Sequence, residues 1–242
     1  MNSIQGIAPQ TIPRTIFKSS DFIWYGLGAA TLAMLFIVSR HNFLLFHGMA
    51  ELFSIAVAWA VFMLVWNARS YINNDALLLL GSAYLFIGFM DLLHTLAFKD
   101  MGFFPDAWST NLPTQLWIAG RYMEGLALLL FSLLLGRRIH PLIGLTFWAG
   151  LAAILMGMIF FWCIFPDCHL ESIGLTPFKI WSEYVICLVL LAAFGILYRK
   201  RAMLDAKVYR LMAGSMAASV AAELTFTTYL GSLIFPISSA IS

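Results

Sequence analysis

Seven runs of about 20 apolar residues follow one another along the chain, each closed by a charged or turn-forming segment, and a bilayer-spanning helix needs roughly that length. They lie at 22–39, 43–66, 76–98, 113–135, 141–163, 179–199 and 208–235, separated by SRHN, NARSYINND, KDMGFFPDAWSTN, GRRIHP, FPDCHLESIGLTPF and RKRAMLDAK. There are no alternating ten-residue strands, so helices are expected rather than a barrel. Composition agrees: 62% of the 242 residues are apolar and 11% charged, against about 25% charged in a soluble domain. This excludes an ordinary cytosolic enzyme, a disordered tail and a nucleic-acid-binding domain, and a formal charge of +2 implies no polyanionic partner. The expected fold is an all-α polytopic transmembrane bundle of about seven spanning helices. Its expected organisation is a cytoplasmic N-terminal segment over 1–20, an integral membrane domain over 21–235 and a short tail over 236–242.

Basic residues set the orientation, because cytoplasmic loops carry the excess of Lys and Arg. With the N-terminus inside, the inner segments hold Arg14, Lys18, Arg69, Arg137, Arg138, Arg199, Lys200, Arg201, Lys207 and Arg210, ten of the fourteen. Arg40, Lys99 and Lys179 fall outside and Arg121 within a span. An uncleaved first span is expected, since no small-residue cleavage site follows a short apolar region. Cys187 reads as packing inside an apolar run, whereas Cys163 and Cys168 bracket a span end where they could meet if that end is periplasmic.

The spans themselves carry charge: Glu51, Asp91, Glu124, Glu183 and Glu223, with His47, His94, Arg121 and Lys179 near them. A charge at mid-membrane costs about 2.5–3.5 kcal/mol, so these groups must be neutral, paired or hydrated. Spacing places them on shared faces: His47 with Glu51 and Lys179 with Glu183 are four apart, and Asp91 with His94 and Arg121 with Glu124 three apart. Depth places them together. In the N-in orientation nearly all lie in the outer half of the bilayer, with Arg121 roughly 12 Å down its span at 1.5 Å per residue. One polar cavity open toward the periplasm is the expectation. The competing readings are interfacial snorkelling for His47, Lys179 and Glu183, and a purely structural ion pair of Arg121 with Asp91 or Glu124. His47, Glu51, Asp91 and His94 also form a candidate metal site, a metal ion being the only cofactor suggested.

Span seven has small residues at Gly214, Ala218 and Ala222, which permit close helix approach, so it is expected to be central. Trp24, Trp108, Trp117, Trp148 and Trp181 fall near span ends, as an interfacial aromatic belt requires. No HExxH, nucleophile elbow, Walker loop or CxxC occurs, and no pair of spans has the interrupted symmetry of a repeat-built transporter. A sensor therefore needs fewer missing parts than an intramembrane enzyme. A transporter or proton conductor using the same carboxylates is the alternative, and it predicts polar groups continuing to the inner face.

HGMAELFSIAVAWAVFMLVWNAR, LLGSAYLFIGFMDLLHTLAFKDMGFFP, NLPTQLWIAGRYMEG, GLTPFKIWSEYVICLVLLAAFGILYRKR and AAELTFTTY occur in that order. Over roughly residues 20–230 the chain resembles the bacterial membrane-associated sensor (MASE) domain of the third type. That resemblance implies an input module preceding cytoplasmic histidine kinase, PAS or diguanylate cyclase regions. It places the motif on His47, Glu51, Asp91, His94, Arg121, Glu124, Lys179, Glu183 and Glu223, the same residues reached from depth. Expected partners are the bilayer, a cytoplasmic signalling output domain or protein and, compatibly, a second copy in a homodimer. Relatives continue into a Gly-His-containing eighth helix, and this sequence stops at Ser242. A truncated chain, or a stand-alone relative acting through a partner, is therefore expected, without catalytic activity of its own.

Overall fold

The structure, a computed structural model, describes residues 19–72, 74–105, 110–172 and 174–238, with side chains undescribed for 19–22, 24, 25 and 226–238. Arg14, Lys18, Trp108, the Trp24 side chain and residues 239–242 thus lie outside the described residues. Seven helices follow in order: α1 Ser19–His41, α2 Phe43–Asn67, α3 Asp75–Ala97, α4 Asn111–Leu134, α5 Pro141–Met156, α6 Pro177–Arg199 and α7 Ala206–Ser238. A π-helical turn, Gly157–Phe161, continues α5, and a 3₁₀ turn, Arg201–Met203, precedes α7.

Helix boundaries have local causes. The Asn74 side chain accepts from Ala76 N at the start of α3, and Thr176 Oγ1 accepts from Lys179 N at the start of α6; both satisfy amides that the first turn leaves open. Pro141 and Pro177 open α5 and α6, where a missing N–H costs nothing. Gly136, at φ +82°, ends α4 in the left-handed conformation that lacks strain only without a Cβ.

Five helices are long and apolar enough to cross a membrane: α2, α3, α4, the Pro141–Phe161 segment and α6. Among the described residues the apolar part of α1 is the shorter Gly26–His41. The seven expected spans therefore correspond to seven helices, of which five meet the spanning criterion outright.

The chain forms two compact units, Met1–Phe46 and His47–Ser242. In the first, α1 satisfies its polar side chains internally, Thr31 bonding to the Leu27 carbonyl and Ser39 to that of Phe36, as lipid demands. In the second, α3 and α4 form the most extensive helix pair, followed by α4 with α6. Met90, Leu116, Ile118, Ala119 and Phe131 between them are fully buried.

Missing side chains set the closeness of approach. A Cβ on Gly81 would lie 2.7 Å from Val65, and one on Gly88 2.8 Å from Trp59 Nε1, so α2 seats directly on α3. Trp148 joins α5 to α3 by donating to the Leu79 carbonyl at 3.0 Å. It is fully buried and is no part of an interfacial belt, because this donor would otherwise be stranded in the core.

Over its described side chains, span seven is not central. Gly214, Ala218 and Ala222 are exposed, and of the described α7 side chains Met216 and Glu223 are the buried ones. The α3–α4 pair holds the centre instead, since its small residues alternate with large ones that fill the space between neighbours.

A pairing absent from the sequence reading closes the loop before α6. Two short strands, β1 His169–Leu170 and β2 Gly174–Leu175, pair antiparallel. The three cysteines are free, Cys163 exposed and Cys168 and Cys187 buried.

Candidate functional site

Five helices bring the nine sequence-selected residues into one electrostatic neighbourhood. α3 and α4 run antiparallel, so the C-terminal turns of α3, with Asp91 and His94, face the N-terminal half of α4. Arg121 Nη2 lies 3.5 Å from Asp91 Oδ1, and its Nη1 donates to Glu124 Oε2 at 2.6 Å. Gly120 lies at this crossing, where a Cβ would stand 3.4 Å from the Asp91 carboxylate, an ordinary contact. Arg121 is thus paired with carboxylates of α3 and α4, and the charges of Glu223 on α7 and Glu51 on α2 also act on it.

A second pair lies in the first turns of α6. Lys179 donates to Glu183 one helical turn on, and both side chains are fully buried. Lys179 also sits over the Trp117 ring, 5.1 Å from its centroid. It does not snorkel; the α4 aromatic and its own carboxylate replace water around the ammonium. Glu223 connects the two pairs, with Arg121, Glu183, Glu124 and Lys179 all acting on it.

The third group is made of imidazoles. His47 and His94 meet edge to face with centroids 5.6 Å apart, and Phe98 packs on His47 at 4.1 Å. His94 Nδ1 is 2.8 Å from the Pro113 carbonyl. Ligand atoms of His47, Glu51 and His94 lie within 4.8 Å of one another. Asp91, grouped with these three in the sequence reading, is not part of that set: its carboxylate turns to Arg121, the stronger attraction at that position.

Five of the nine residues line cavities, and they are divided between two. The first, about 330 Å³, is bounded by His94, Pro113, Trp117, His169 and Lys179. The second, about 440 Å³, has Asp91, Arg121 and Glu124 on its wall and runs between α2, α3, α4 and Met212 of α7 along apolar side chains. Both are lined in part by α3 and α4.

Some residues of this region went unread in the sequence. Asn111 Oδ1 accepts from Cys168 N and His169 N, and its Nδ2 donates to Asp167 Oδ1. Gln115 Nε2 donates to the Phe165 and Pro166 carbonyls. These two amides, four apart at the head of α4, clamp the 163–176 loop over the first cavity. Polar amides on one face of an apolar run were the available signal.

A bundle of apolar helices holding a buried, carboxylate-rich charge cluster defines a class, the multi-pass membrane protein with ionisable groups inside its spans. Residues 38–235 match the model of the membrane-associated sensor domain, MASE3, and the chain belongs to that family. No curated protein and no solved structure matches it.

Proposed function

We propose that this membrane sensor domain is the input module of a bacterial inner-membrane signalling system, with its N-terminus cytoplasmic. It takes up a small ligand, ion or proton among the charged groups, which that orientation puts in the periplasmic half. The output it serves is a cytoplasmic histidine kinase or diguanylate cyclase.

The observation that carries this reading is the imbalance around Arg121, one positive charge acting with four carboxylates from four helices. Such a cluster is held in lipid only if something neutralises the excess. Whatever arrives there changes the helix pairing that has least energy. α7 is suited to transmit the change: Glu223 reaches the cluster, and the helix otherwise packs chiefly on α6. Away from the cluster, the buried polar side chains of the spans are Ser82 and Ser132, each bonded to a carbonyl of its own helix. That leaves no described relay through the opposite half and favours a sensor over a transporter.

The test is a fusion of the chain, through an added spanning helix that returns it to the cytoplasm, to a cyclase domain, its product measured across pH and with divalent cations added or chelated. Glu51→Gln and Asp91→Asn should each abolish the response while membrane insertion is retained. A normal response in both variants would sink the site assignment.

A further inference from the structure

We propose that His47, Glu51 and His94 bind a first-row divalent transition-metal ion, with zinc the reference case. This deepens the sensor reading by naming the chemical class of what the cluster receives, and it rests on that reading for the metal's signalling role alone.

Three features converge. Proximity is the first. Three atoms mutually within 4.8 Å admit a point at most about 2.8 Å from each, and small side-chain rotations close that to the roughly 2.0–2.2 Å of zinc bonds. His47 and Glu51 stand one turn apart on α2 and His94 comes from α3, so the two helices must be correctly packed for the set to exist.

The second is the state of His94. A carbonyl oxygen only accepts, so Nδ1, 2.8 Å from the Pro113 carbonyl, carries a proton and donates. In the neutral ring Nε2 then presents its lone pair. A backbone carbonyl holding the far nitrogen is the usual support of a metal-ligating histidine, since it fixes both tautomer and orientation.

The third is charge. Glu51 belongs to the carboxylate excess around Arg121, and a dication supplies the compensation that one guanidinium does not. Two imidazoles select borderline metals over magnesium or calcium, which prefer oxygen. Three protein ligands leave one coordination position open. His94 also borders the 330 Å³ cavity, which provides a route of entry.

The experiment uses the full chain purified in detergent, stripped with chelator and titrated with zinc alone, with bound metal counted by elemental analysis. Cobalt is titrated in parallel, because its visible bands report nitrogen ligation and low coordination number. Wild type should bind one equivalent and give a low-coordinate cobalt spectrum. His47→Ala and His94→Ala should bind at least about tenfold more weakly. His169→Ala, altered in the same cavity but outside the triad, should bind like wild type.

No stoichiometric uptake by wild type would overturn the proposal, whatever the variants do. So would unchanged uptake in both triad variants, or an equal loss in His169→Ala. The cobalt spectrum needs no variant, so a misfolded mutant cannot mask the answer. Cyclase output that depends on Glu51 and Asp91 in a chain without metal uptake overturns the metal and keeps the sensor. Stoichiometric zinc with output indifferent to it supports the site and removes its signalling role.

Discussion

Asp91 and Arg121 face each other at 3.5 Å across the α3–α4 crossing, above the Cβ-less surface of Gly120. Asp91 is buried and Arg121 is 23% exposed, and Glu124 shares the guanidinium from the next turn of α4. Removing one member of a buried pair leaves the other without compensation, at a cost of about 3–5 kcal/mol. Arg121→Met should therefore lower the thermal midpoint of the detergent-purified chain markedly. Adding Asp91→Asn to it should recover part of the loss. Additive effects in that double-mutant cycle would mean that the two charges do not interact.

The Lys179–Glu183 pair permits a sharper form of the same test, since both side chains are fully buried. Lys179→Met alone should destabilise by about 3 kcal/mol or more, whereas Lys179→Met with Glu183→Gln should approach wild type. Chemical or thermal unfolding of the three variants checks this. Equal damage in the single and double variants would assign Lys179 a role beyond charge balance, such as its seat over Trp117.

Gly88 and Gly120 should respond differently to alanine. At Gly88 the new methyl would lie 2.8 Å from Trp59 Nε1, whose bond to the Leu85 carbonyl would be displaced. Overpacking of this kind costs about 1–3 kcal/mol. At Gly120 the nearest atom is 3.4 Å away, an ordinary contact, and alanine adds up to about 1 kcal/mol of helix propensity. Gly88→Ala should be clearly destabilised and Gly120→Ala near neutral, as read by thermal scans.

The loop before α6 should report through its cysteines. Cys163 is exposed, while Cys168 is fully buried beneath the Asn111 clamp. Burial pushes the Cys168 thiol up to about 12 from its ordinary value of 9.0. The unfolded loop loses its proton first as pH rises, so the folded loop weakens progressively between those two values. Near neutral pH a maleimide should label Cys163 and spare Cys168. Asn111→Ala should open Cys168 to labelling at the same pH, together with faster amide exchange over 165–170. Unchanged protection in Asn111→Ala would show that the strand pair, and not the amide, holds the loop.

The helices and their charged faces were legible in the sequence because each depends on local periodicity. Apolar runs of spanning length dictate helices in lipid, and three- and four-residue spacings put His47 with Glu51 and Arg121 with Glu124 on common faces whatever surrounds them. Only the tertiary structure decided which faces meet. Asp91 turns from the histidines because α4 brings Arg121 to 3.5 Å from it, and Lys179 is buried because Trp117 and Glu183 enclose it. The small residues of α7 promise contact in the sequence yet stand exposed beside a core built on α3 and α4. Small residues permit approach without choosing a partner; shape complementarity over the whole helix makes that choice, and it is not a property of any single span.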